Sequence, residues 1–192
     1  MAFQRPIAAD RSSTGIPTGR LGMWILLASE IFIFGGVLMS YLLNRLNNPW
    51  WSHEAHHTIL AAGAFNTFVL LTSSLSAVLA HAAAERKDGP RAFKLLWFTI
   101  GGAGVFLMVK AYEYTTDILL GFTITRNVFW GFYYTATALH ACHVIGGAIA
   151  MGVVAHYAKK NINLQRVEYV GIYWHLVDVI WIFLFPLMYI AR

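Results

Sequence analysis

The chain has 192 residues, 58% of them hydrophobic and only 12% charged, with a formal net charge of +5. A soluble domain carries about a quarter charged residues; here there is too little polar surface to coat a water-facing globule, and long apolar runs mark an integral membrane protein. The basic residues sit in short connections between those runs, a topology signal facing an anionic leaflet, which excludes nucleic acid as the partner.

Residues Met1 to Arg20 are polar, with Pro6, Gly15 and Pro17, and read as a flexible tail. No apolar core precedes a small-residue cleavage site, so no signal peptide is expected in the tail. Five spans follow, Leu21–Leu43, Ile59–Ala84, Phe93–Tyr114, Phe129–Tyr157 and Tyr169–Ile190. Each is long enough to cross about 30 Å of hydrocarbon at ~1.5 Å per residue. All five are predicted to be helices, because unpaired backbone is not tolerated in lipid and nothing alternates like barrel strands. The expected fold is therefore all-α, one transmembrane five-helix domain over residues 21–192.

The connections differ in character. "NRLNNPWWSHEAHH" after the first span carries a Trp pair suited to the interface, and three histidines, His53, His56 and His57, expected to be solvated. "ERKDGPRA" is a tight charged turn. The stretch from Thr115 to Val128 is polar, and Glu113 and Asp117 are placed at the outer mouth, where a carboxylate costs little. Trp50, Trp51, Trp97, Trp130 and Tyr157 near the span ends read as interfacial anchors. The glycines of "GGAGVF" and "IGGAIAMG" allow close helix approach, and Asn66, Ser73 and Ser74 are expected to bond between helices.

Orientation follows from Lys and Arg. Ten lie in the tail and the second and fourth connections, against four (Arg45, Lys110, Arg126 and Arg192) on the other side. That asymmetry puts the N-terminus in the cytoplasm and the C-terminus outside.

A few ionisable groups fall deep inside the spans. Glu30 lies about 14 Å into the first, His140 roughly 17 Å from the outer end of the fourth, and Asp178 about 14 Å into the fifth. These three come out near one mid-membrane level, with His143 and His175 about one turn nearer the cytoplasm. Charges at such depth cost several kcal/mol unless they are paired, protonated or face a cavity. His140 and His143 share a helix face at i, i+3, as do His175 and Asp178.

Glu30 reads equally as a proton-handling carboxyl or as a neutral acid bonded to a neighbouring helix. The two histidines of "ALHACHVIGG" could ligate a metal with "HLVD" and Glu30. The Glu-x-x-His pairs of di-metal carboxylate bundles are absent, however, and Cys142 is offset by about 200° from His140. Two histidines on different helices could also clamp a haem. A stand-alone membrane metalloenzyme is one reading of these residues. A proton-coupled transporter with Glu30 as carrier is another, against which stand five helices without an inverted repeat. No phosphate loop, nucleophile elbow or CxxCH is present.

Taken together, "LASEIFIFGG" (27–36), "FNTFVLLTSSLSAVLAHAA" (65–83), "EY" (113–114), "GFYYTATALHACHVIGGAIAM" (131–151) and "YWHLVDVIWIFLFPLMYI" (173–190) resemble subunit III of the haem-copper terminal oxidases. "HxxHVxxG" followed by "WHxxDxxW" at this separation is a specific combination. The resemblance covers nearly everything from Leu21 onward and is to the short, five-helix bacterial form. It implies a non-catalytic subunit of the bacterial plasma membrane, binding no redox cofactor and holding no metal. Haem and copper would sit in partner subunits. The chain would pack on catalytic subunit I beside subunit II, hold phospholipids and support proton uptake. Carried over by residue, Glu30 matches a buried acid linked to proton and lipid chemistry. His140 and His143, with His175 and Asp178, match the family's buried polar pairs and are expected to tie helices together. The family also includes subunits of quinol oxidases and a homologue associated with nitric oxide reductase.

Overall fold

The computed structural model describes residues 15–48 and 50–190. Most of the stretch read as a tail, with Arg5 and Arg11, lies outside the described residues, as does Arg192. The elements are α1 (Thr18–Leu46), a short α2 (Trp51–Ala55), α3 (Leu60–Glu85), α4 (Gly89–Leu119), α5 (Val128–Ala158) and α6 (Gln165–Phe185), the last continued by a π turn, Pro186–Ile190. Five of these are long and apolar enough to cross a membrane. Each predicted span is found, extended at most ends by a few residues, because a helix continues through the interface until a cap or glycine stops it.

The caps are readable. Asp88 accepts from Arg91 N at 3.1 Å and opens α4 with Pro90 in the first turn. Asn127, in extended backbone, accepts from Trp130 N at 3.1 Å and opens α5. Each satisfies a backbone donor the helix cannot. Pro186 has no N–H to give the preceding turn, and the backbone widens there into the π turn.

Helices α3, α4, α5 and α6 form a closed ring, α3 against α4, α4 against α5, α5 against α6 and α6 back on α3. The ring's core includes Leu70, Leu96, Phe106, Met151, Trp174 and Trp181, all essentially without solvent contact. Glycines set two close approaches. A Cβ on Gly102 would stand 2.8 Å from Ser73 Cβ, and one on Gly147 would stand 3.1 Å from the Trp174 ring. Helix α1 leans on α6 and α5 from outside, burying only Glu30, Phe34 and Tyr41.

The interface reading of two tryptophans is corrected. Trp51 is buried against Tyr41, Phe129 and Phe132, and Trp130 is buried with its Nε1 donating to Glu54 Oε2 at 2.7 Å. The fold of the α1–α3 connection over the end of α5 covers both rings. Trp50, Trp97 and Tyr157 remain exposed.

Candidate functional site

The buried polar groups form three separate centres. The first joins α1 to α5. His143 Nδ1 lies 2.7 Å from Leu139 O, and a carbonyl only accepts, so this nitrogen carries a hydrogen. His143 Nε2 stands 2.8 Å from Glu30 Oε2, at an angle off the hydrogen-bond axis. The contact brings a carboxyl of α1 against an imidazole of α5. Phe34 packs edge-on against the His143 ring.

The second centre joins α6 to α3. His175 Nδ1 meets Ser74 Oγ at 2.6 Å, and Trp174 Nε1 donates to Ser73 Oγ at 3.1 Å. Ser74 also lies near the Asp178 carboxyl, though neither Asp178 oxygen has a partner in hydrogen-bond geometry. Asn66 Nδ2 reaches Phe106 O at 3.4 Å. Asn66, Ser73 and Ser74 therefore bond between helices, as their residue types suggest.

The sequence places His140, Glu30 and Asp178 at one height. The contacts of the His140 ring with Trp181, and of Gly147 with Trp174, instead set Asp178 opposite His143, one turn away from His140. The reason is that α5 is 31 residues, about 46 Å, so a depth counted from its outer end against a 30 Å core sets His140 too near the cytoplasm. No hydrogen bond among the described residues joins the α5 histidines to His175 or Asp178. His175 ties α6 to α3 instead. His140 is fully buried between Phe106 and Trp181, with no hydrogen-bond partner on either ring nitrogen.

The third centre was missed by sequence reasoning. Lys110 (2% exposed), Glu113 and Asp117 (both 0%) lie on one face of α4, inside the ring rather than at a solvated mouth. All three Lys110 N–H groups are used, on Glu113 Oε2 (2.8 Å), Tyr189 OH (2.8 Å) and Tyr133 OH (3.2 Å). Tyr189 OH in turn donates to Glu113 Oε2 at 2.9 Å, and Tyr133 OH reaches Asp117 Oδ2 at 3.4 Å. The ammonium also lies within 6 Å of the ring centroids of Tyr114, Tyr133, Trp181 and Tyr189. Lys110 therefore does not belong among the loop charges counted for orientation. The signal available in the sequence was the i, i+3, i+7 spacing of one cation and two acids within a long apolar helix.

Among the described residues, no group of three or more His, Cys, Asp or Glu side chains is placed to hold a metal ion. A groove of about 760 Å³ runs between α1 and α5, walled by Ile33, Gly36, Val37, Gly131, Phe132 and Thr135.

The family model for cytochrome c oxidase subunit III matches residues 12–191. The chain belongs to that family. It is 37% identical to cytochrome c oxidase subunit 3 of Thermostichus vulcanus, over 96% of this chain and 92% of that protein. It is 34% identical to the subunit 3 of Corynebacterium diphtheriae, over 100% of this chain and 96% of that one. A protein of Aeropyrum pernix named heme-copper oxidase subunit I+III is 30% identical over 90% of this chain, which covers 22% of its length. This subunit III family member is thus an integral membrane protein, related to an accessory subunit of an oxidoreductase complex.

Proposed function

We propose that this chain is the non-catalytic subunit III of a proton-pumping haem-copper terminal oxidase in a bacterial plasma membrane, with its N-terminal tail in the cytoplasm and its C-terminus outside. The five helices act as one unit that stabilises catalytic subunit I beside subunit II, and haem and copper reside in those partners. The observation that carries this reading is the I+III relative, in which a region like this chain is part of one polypeptide with subunit I. Fusion keeps two parts at high effective concentration, which favours a lasting contact between them.

Within that role Glu30, beside His143, is the proton-linked acid near the α1 face. Each keeps some exposure, with side chains 11% and 18% accessible, so the pair can exchange with its surroundings. This supports a part in proton uptake. The apolar α1–α5 groove supports lipid binding. The Lys110 cluster and the Ser74–His175 tie act in packing.

The test is to tag the chain, extract native membranes in mild detergent and record the reduced-minus-oxidised spectrum of what co-purifies. Haem bands with a larger partner chain are expected, at a partner ratio that Glu30→Gln leaves unchanged while slowing turnover. A colourless isolated chain that also fails to cross-link to a haem protein before solubilisation overturns the reading.

A further inference from the structure

Two grooves flank α4 on the side away from α1. One, about 490 Å³, lies between α4 and α5 and is lined by Phe93, Trp97, Gly152, His156, Lys159 and Lys160. The other, about 500 Å³, lies between α3 and α4, with Phe68, Val69, Trp97, Gly101, Gly102 and Val105 among its walls. Trp97 is common to both and is 51% exposed, so its indole forms the ridge between them.

The two ends of this surface differ in chemistry. The basic end gathers Lys159, Lys160 and His156 where α5 finishes, and among the described residues no ion pair neutralises either lysine. Lys159 Nζ lies 5.2 Å from the Phe93 ring centroid. The position of this end is fixed. Gly89 N donates to Asn161 Oδ1 at 2.9 Å, and a Cβ on Gly89 would run into Ala158 O, so the turn after α5 is seated on the start of α4. Trp97 lies eight residues into α4, about 12 Å further into the membrane, and Gly101 and Gly102 about 18–20 Å. Both walls there are apolar apart from a few hydroxyls.

We propose that an anionic glycerophospholipid binds astride α4. Its phosphate sits among Lys159, Lys160 and His156, one acyl chain runs past Gly152 in the α4–α5 groove, and the other lies over Gly101 and Gly102 in the α3–α4 groove, with Trp97 between them. A charged, fixed end above a forked apolar surface matches the shape and polarity of such a lipid, and juxtamembrane lysines favour anionic headgroups. The inference deepens the lipid-binding part of the proposed function by placing a site and a headgroup charge on a face that the α1–α5 groove does not share.

The test uses the tagged protein with its native companions in phosphatidylcholine vesicles carrying a trace of phosphatidylglycerol with a photoactivatable acyl chain. After irradiation, peptides spanning 93–105 and 150–160 are expected to carry the label. Unlabelled phosphatidylglycerol should compete and phosphatidylcholine should not. Lys159→Gln with Lys160→Gln should lower this labelling roughly tenfold and leave labelling along 33–40 unchanged. Gly101→Leu fits open space and should clear label from 98–105 while sparing 150–160. Labelling that ignores headgroup charge, or survives the double lysine change, overturns the site, as does label confined to the α1–α5 groove. In the last case lipid binding itself stands. Label absent from the whole chain removes both.

Discussion

Helices α1 and α4 read alike as sequence, each a long apolar run broken by ionisable residues, yet they are held in opposite ways. α4 turns Lys110, Glu113 and Asp117 into the ring, where α5 and the π turn supply phenols to the cation. α1 stands outside the ring. Three buried residues attach it, helped by the Tyr41 hydroxyl on Leu187 O (2.7 Å) and the Arg20–Glu168 pair (2.8 Å) at its other end. Along its remaining length Trp24, Ile25, Ile31 and Phe32 are exposed. Hydropathy reports that a helix crosses; the polar residues report what covers it. A buried charge needs every donor answered by protein, whereas a helix held at a few points remains free to meet lipid or a partner along the rest.

That contrast can be broken first at α4. Glu113→Ala strands the Lys110 ammonium, a change that costs about 3–5 kcal/mol in soluble proteins. A large fall in melting temperature of the solubilised protein is expected, with much of it recovered when Lys110→Leu is added. An unchanged melt for the single variant would show that the cluster contributes nothing to α4.

Next in size is Gly89→Ala, which drives a methyl into Ala158 O and should cost about 1–3 kcal/mol. It should lower the melting temperature less than Glu113→Ala does. At α1 the effects should be smaller still and local. Glu30→Ala removes one tie, on the scale of ~0.6 kcal/mol measured for membrane hydrogen bonds. Proteolysis of the connection after α1 should quicken while the melt stays nearly fixed. A melt shift as large as that of Glu113→Ala would mean that α1 is part of the core after all. Smallest is Arg20→Ala. This pair is half exposed at the arginine, so at most a slight fall in the melt, gone in high salt, is expected.

The number of spans and their order were legible because each apolar run is long and each connection carries Gly, Pro, Asn or charge. The burial of Glu30, His140 and Asp178 was legible as well, since no end of a helix lies near them. Their partners were not. Depth counting placed Asp178 level with His140, because His140 was measured from the outer end of a helix that, at about 46 Å, is longer than the 30 Å core. The Lys110 centre was hidden for a different reason. Its burial depends on Tyr133 and Tyr189, 23 and 79 residues further along. Seen alone, a lysine and two acids near the end of an apolar run look like the solvated rim that most such residues form. The "EY" pair at Glu113–Tyr114 was noticed for its resemblance, without its burial being seen.

The π turn has a consequence in time. A chain is made and inserted from its N-terminus, so Lys110 and Glu113 enter the bilayer while Tyr189 is still 79 residues from being joined. Tyr133 arrives in between and can answer one of the ammonium's three donors. Until the widened turn after Pro186 follows, α4 carries a hydrogen-bond donor with nothing to receive it, and the ring of four helices has an unfinished closure. Completion of α6 thus seals two things in one event, the circle of helices and the charge at its centre. A ribosome stalled within α6 should leave α4 mobile, exposed to proteases and to membrane quality control.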